Sequence, residues 1–398
     1  MTIVSVALAF LVYFAAPSQP RIRATLGPTT TYVSEPLAED GLPNYLLATI
    51  AQSQEGVNLD NNAAAALWSA IGPSTMTADQ YAAICDELGI RSAVGADHLS
   101  PLEPTAALRE YSNRARFALV FQAPERSSRS SSSLGLALDS LTTSPWQARE
   151  FPKLAKWVSN NSSHLNALQD ASRLPRLYSP ICEAGEDPHT PLLDIELHHL
   201  AALDTAVRRL QLRAMLRAGE RRYEAAIDDF EASLALGSLL LSDVRCLVEY
   251  QHGLQMRAHS RHAFIAILNC DGLAPESTDR IRQIAARFAS PRRLSELADR
   301  FDRLVFLDTA LRLATGRLGG VSRSSDVVDA ADRVDVDALL QRCNQFYDQL
   351  TEALALNKRV ERQAALTQIA EYLRDIDAQR NEGPDRRSNA RNATRAIG

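Results

Sequence analysis

Aromatic residues make up only 6% of this sequence against 45% hydrophobic residues overall, which argues against an aromatic-rich β-sandwich or barrel and towards Ala/Leu-rich helices. The five cysteines, Cys85, Cys182, Cys246, Cys270 and Cys343, lie far apart and never form C-x-x-C. That pattern provides neither a zinc ribbon nor a disulfide framework, and each thiol reads as a small buried residue on a helix. A basic surplus is also missing: the formal charge is -5, so no cationic footprint is available for a nucleic-acid backbone. G-x-S-x-G, P-loop, G-x-G-x-x-G and H-E-x-x-H are all absent.

What is present begins with an uncharged apolar run, Thr2 to Ala16, closed by two prolines in PSQPRIR. As a helix it would be roughly 22 Å long, against about 30 Å of bilayer hydrocarbon. It is short for a span; residues 1–20 are nonetheless expected to be a transmembrane or signal-anchor segment. A cleaved signal peptide is the competing reading, disfavoured by Tyr13, Phe14 and Pro17 around the small residues. The positive-inside rule applied to Arg21 and Arg23 would keep the body cytoplasmic; basic residues upstream would reverse this, and a body outside the cytoplasm is the expectation carried forward.

Residues 21–180 read as an amino-terminal helical region containing a flexible Ser-rich loop at 125–133. Within it, short helices are expected over NYLLATIAQSQ, over NNAAAALWSAIG with Asp60 or Asn61 as cap and Gly72-Pro73 as stop, and over TADQYAAICDELGI. Residues 106–122 and 146–171 read as further helices. After a proline-rich connection, residues 181–380 read as a carboxy-terminal α-helical domain, and 381–398 as a disordered tail.

In that second half Leu193, Leu197, Leu200, Leu203, Val207 and Leu210 recur at helical steps, predicting a helix over 192–218. The next helix carries Tyr223, Ile227, Phe230 and Leu234, all expected to face inward. Further helices are expected over 242–268, 295–315, 336–356 and 360–379. The acidic run Ser324 to Leu340 lacks the glycine and terminal glutamate of a calcium loop and reads as a solvated, helix-starting segment. The fold class is thus all-α: an antiparallel helical array or bundle behind an amino-terminal membrane anchor helix.

Tyr223, Ala226, Ile227, Phe230 and Leu234 fit the second helix of a tetratricopeptide-like hairpin. The first helix fits less well, with Leu210, Ala214 and Arg217 at the places of Trp, Gly and Tyr, and Gly219 two residues before the turn position. No second copy occurs, whereas a solenoid needs about three units.

E-x-x-H occurs twice, as Glu196 with His199 and Glu249 with His252, with Glu224 or Glu231 on the helix between. In a di-metal carboxylate bundle that spacing places both ligands on one helix face. The plainer reading makes Glu196-Leu197-His198-His199 a solvated first turn, and His252, His259 and His262 surface residues. No catalytic, cofactor-binding or metal-binding residue is assigned on this basis.

Several stretches together resemble a family of uncharacterised, membrane-anchored proteins abundant in planctomycete bacteria. They are Thr31 to Pro73, Phe151 to Pro180, Leu212 to Leu240, and Val334 to Leu350 with Asn344, Tyr347 and Asp348. Family members usually carry basic residues before the apolar segment, and this sequence does not. The resemblance implies helical architecture and anchoring, and it supplies no activity, cofactor or functional residue. The expected function is a membrane-tethered, non-enzymatic scaffold that binds protein partners; the alternative is a di-metal enzyme using Glu196, His199, Glu249 and His252.

Overall fold

The structure, a computed structural model, describes residues 24–73, 76–91, 98–102, 140–181, 190–288, 294–315 and 335–382. Every regular element among them is helical, with two isolated β-bridges, Leu37 to Pro43 and Asn62 to Arg176. The expected anchor, the Ser-rich loop, the helix at 106–122 and nearly all of the expected tail lie outside the described residues. Among the described residues, no helix is long and apolar enough to cross a membrane.

Helices α1 (Tyr45–Gln54), α2 (Ala63–Ile71) and α3 (Ala78–Glu87) stand where the short helices are expected. The cap of α2 is Asn62, rather than Asp60 or Asn61: its side chain accepts from the Ala64 amide while its amide nitrogen donates to the Tyr178 carbonyl. Gly72 ends α2 at φ 73°, a left-handed value glycine adopts freely. The expected single helix at 146–171 is two, α4 (Pro152–Asn160) and α5 (Ser162–Ala171). Asn161 breaks it because its side chain turns away to hold the Ser100 amide and hydroxyl.

The helix expected from residue 192 starts later, as α6 (His198–Gly219), after a 3-10 turn at Leu192–Asp194. That turn shifts the register, so Leu192 is buried and Leu193 is 43% exposed, while Leu200, Leu203, Val207 and Leu210 face inward as expected. Three residues later follows α7 (Tyr223–Ser242), then α8 (Leu247–Leu268) and α9 (Pro275–Arg287). Ile227, Phe230 and Leu234 are buried, but Tyr223 is only half-buried and donates its hydroxyl to the Asp271 carbonyl.

The α6–α7 turn explains the misplaced glycine. The Arg222 amide bonds the Arg217 carbonyl and the Arg221 amide the Ala218 carbonyl, a Schellman closure whose left-handed residue is Arg221 at φ 60°. Gly219 serves a different purpose, since a Cβ there would lie 2.0 Å from the Trp146 carbonyl oxygen. Its absence lets the Trp146 backbone lie against the end of α6, where the Trp146 amide reaches the Met215 carbonyl.

Beyond these come α10 (Leu294–Leu297), a π-helical stretch Ala298–Asp302, α11 (Arg303–Ala314), α12 (Val336–Ala355) and α13 (Arg359–Glu382). Asp335 caps α12 by accepting from the Ala338 amide, as a helix-starting acidic segment should.

Contacts divide the chain into two compact units, each drawing on chain before and after the proline-rich connection near residue 180. One comprises Met1–Gln52, Glu183–Ile195 and Arg293–Gly398; the other comprises Ser53–Cys182 and Glu196–Arg292. In the second unit α6, α7 and α8 pack in sequence, while α2 and α5 cover the other side of α6 and α7. Their side chains form one continuous apolar core that includes Leu67, Trp68, Leu165, Leu203, Phe230 and Phe264. In the first unit α11 and α12 pack together and α13 lies on α12.

Candidate functional site

The sequence-predicted ligands divide unevenly. His199 is 4% exposed and Glu249 1%, and His199 Nε2 lies 2.9 Å from Glu249 Oε1. His199 is therefore neither a surface residue nor part of a solvated turn: starting α6 at residue 198 points its ring into the interior of the second unit. Glu196 stays 62% exposed, 3.0 Å from His198, and His252 is half-buried. Among the described residues no three His, Cys, Asp or Glu side chains converge as a metal centre would require.

The partner that sequence reasoning missed is Arg245. Glu249 occupies the first turn of α8, where the positive end of the helix favours a carboxylate, and it accepts the Arg245 amide. Arg245 returns its side chain to the same carboxylate, Nη2 at 2.8 Å and Nε at 3.0 Å from Oε1, and gives Nη1 to the Ser179 carbonyl. Its Nη2 also lies 3.3 and 3.4 Å from the two ring nitrogens of His199.

Burial lowers the His199 pKa below its ordinary value, so the neutral ring donates from Nε2 to Glu249 and offers Nδ1 to Arg245. Burial alone would raise the Glu249 carboxyl; Arg245 and His199 outweigh it and bring it down to about 2. The cluster is closed. Its lone pairs and protons are spent internally, and a guanidinium stands where a metal ion would have to be.

A second closed cluster ties α5, α6 and α7. Asp229, fully buried, takes Arg213 at 2.6 Å and Arg217 at 2.7 Å, and Arg213 extends to Asn166 at 2.7 Å. In the first unit Arg303 gathers the residues that carried the family resemblance: Asp348 at 2.7 Å, Asn344 at 3.2 Å, and the Tyr347 ring within 5.9 Å. Arg303 also pairs with Asp299 at 2.8 Å and lies 4.5 Å above the Tyr32 ring. Apart from Asp299, four residues before Arg303, these contacts join separate segments, the Asn344 and Asp348 partners lying 41 and 45 positions from Arg303, and no local spacing announces them.

Among the described residues the cysteines form no disulfide. Cys85 and Cys343 are buried as expected, but Cys246 and Cys270 are half-buried, because they sit just outside α8 at its two ends.

Two concave surfaces stand out among the described residues, one in each unit. In the first, α12 and α13 enclose an apolar groove of about 600 Å³ lined by Phe306, Phe346, Leu356, Ile369, Tyr372 and Leu373, among others. Tyr372 on its rim is 57% exposed. In the second, α5, α7, α8 and α9 border a charged cleft of about 590 Å³. Volumes of this size suit a small ligand or a few side chains of a partner. No family model, no curated protein and no solved structure matches this chain.

Proposed function

We propose that this protein is a membrane-tethered, non-enzymatic helical scaffold that receives a segment of a protein partner in the groove between α12 and α13. The tether is the uncharged run Thr2 to Ala16. The observation that carries the reading is the groove itself: an open, largely apolar hollow between two helices, with Arg342, Glu352 and three glutamines among its lining and an exposed tyrosine beside it. An amphipathic helix or loop laid into such a hollow buries its apolar face against the floor, which is the usual mode of helix-in-groove recognition. The closed clusters at Arg245 and Asp229 fit the same reading, because their groups are occupied in holding helices together.

The test is a pull-down of the detergent-solubilised full chain with mass spectrometry, run beside Ile369→Asp in the groove and Val360→Asp on the same helix outside its lining. A specific partner should be recovered with the wild type and with V360D, and its recovery with I369D should fall by about tenfold or more. Recovery of no specific partner, or equal recovery by all three, overturns the proposal.

A further inference from the structure

In the charged cleft of the second unit one buried arginine, Arg257, has none of the carboxylate partners that Arg245, Arg213 and Arg217 have in the closed clusters, among the described residues. Four arginines line it, Arg173, Arg257, Arg280 and Arg287, against two acids, Asp228 and Glu231. Both acids are engaged: Asp228 with Arg280 at 2.6 Å, and Glu231 with Arg287 at 2.6 Å and Arg280 at 3.0 Å, while Arg280 also pairs with Glu224 at 3.0 Å beside the cleft. Arg173 pairs with Asp170 at 2.9 Å on the exposed surface. Among the described residues no carboxylate pairs with Arg257, although it is only 4% exposed.

Arg257 donates Nη2 to the Phe288 carbonyl, and its buried Nε has no hydrogen-bond partner among the described residues. Its electrostatic surroundings work against the charge: burial first and then Arg261 lower its pKa, with only Tyr250 opposing. A buried cation without an anion is costly, and natural interiors pair such groups. Here Arg257 lines an open cleft whose neutral wall includes Gln169, whose side-chain NH2 can donate to an oxyanion, while Ser172 and Ser238 give their hydroxyls to the Gln169 and Leu234 carbonyls.

We infer that the cleft is an oxyanion-binding site in which Arg257 supplies the central charge, Arg287 and Arg173 supply the rim, and the ligand is a carboxylate or phosphate group. This site is independent of the α12–α13 groove and stands or falls separately. The guanidinium fork matches both planar carboxylates and phosphate oxygens, so the chemistry is shared between the two sources.

The experiment titrates the full chain in detergent with inorganic phosphate and, separately, with succinate, at constant ionic strength made up with chloride. Binding is read by calorimetry and by the shift in thermal midpoint. Saturable binding of either ion by the wild type is expected, phosphate alone indicating a phosphoryl source and succinate alone a carboxylate source. Arg257→Met should weaken that binding by about thirtyfold or more, and Arg287→Gln by roughly twofold to fivefold. Should R257M fail to fold, R257Q provides the same comparison. Binding of neither ion by the wild type, or unchanged affinity in the Arg257 variant, overturns the assignment.

Discussion

Arg245 and Arg257 lie twelve positions apart in the sequence, one just before α8 and one within it, and both are buried. Around Arg245 each guanidinium nitrogen has an acceptor, and Glu249 outweighs burial so that the guanidinium pKa rises. Around Arg257 no acid answers among the described residues, and burial brings the pKa down. The same residue type thus acts as a structural clasp at one place and stands as an uncompensated charge beside a cleft at the other. Burial alone does not tell the two apart; the census of partners does.

The largest way to break this contrast is to make the first site resemble the second. Glu249→Gln leaves Arg245 buried without its carboxylate and should cost about 3–5 kcal/mol in denaturant unfolding. The effect should depend on pH. Because the folded Glu249 carboxyl is held at about 2, the unfolded chain binds more protons between that value and the ordinary carboxylate range. The stabilisation is present above the ordinary range and is lost as pH falls towards about 2. The lowered His199 pKa acts in the same direction below the ordinary histidine range, since only the unfolded ring takes up a proton there. Wild type and E249Q should therefore converge in stability on acidification, and a constant gap across that window would contradict the assignment.

A smaller effect tests the contact between the two sites. Gly253 lies on α8 between Arg245 and Arg257, and a Cβ there would approach Leu241 Cγ to 2.7 Å and the Gly237 carbonyl oxygen to 3.2 Å. Gly253→Ala gains roughly 1 kcal/mol of helix propensity but must displace α7, so a net loss of about 1–2 kcal/mol is expected. A gain in thermal midpoint would show that α7 and α8 are less tightly joined than described.

Helix existence was legible because it rests on local periodicity. Ile227, Phe230 and Leu234 face inward as their spacing requires, and Asp335 starts α12 as its acidic flank suggests. Boundaries were less legible where tertiary contacts decide them: Asn161 interrupts a helical pattern to serve Ser100, and the 3-10 turn at Leu192–Asp194 delays α6. The tetratricopeptide-like spelling misled at Gly219, whose role is close approach to Trp146, while Arg221 takes the left-handed position.

The spacing of Glu196, His199, Glu249 and His252 correctly singled out two residues that meet, but not their partner. Arg245 is four residues before Glu249, an ordinary helical separation, and nothing local says that it turns inward with His199. Neither open surface was legible at all. The groove joins α12 to α13 and Phe306, and the cleft joins residues 169–174 to residues 228–288, so each is a product of packing.

The most direct measurement is the change in unfolding free energy, without added phosphate or carboxylate, for Arg245→Met and Arg257→Met side by side. R245M should destabilise by about 3–5 kcal/mol, because it strands Glu249 in the interior. R257M should stabilise by about 1–4 kcal/mol, because it removes a buried charge that no carboxylate offsets among the described residues. Effects of opposite sign are the prediction; destabilisation of similar size in both would mean that Arg257 is as fully satisfied as Arg245, and the contrast between clasp and cleft would fail.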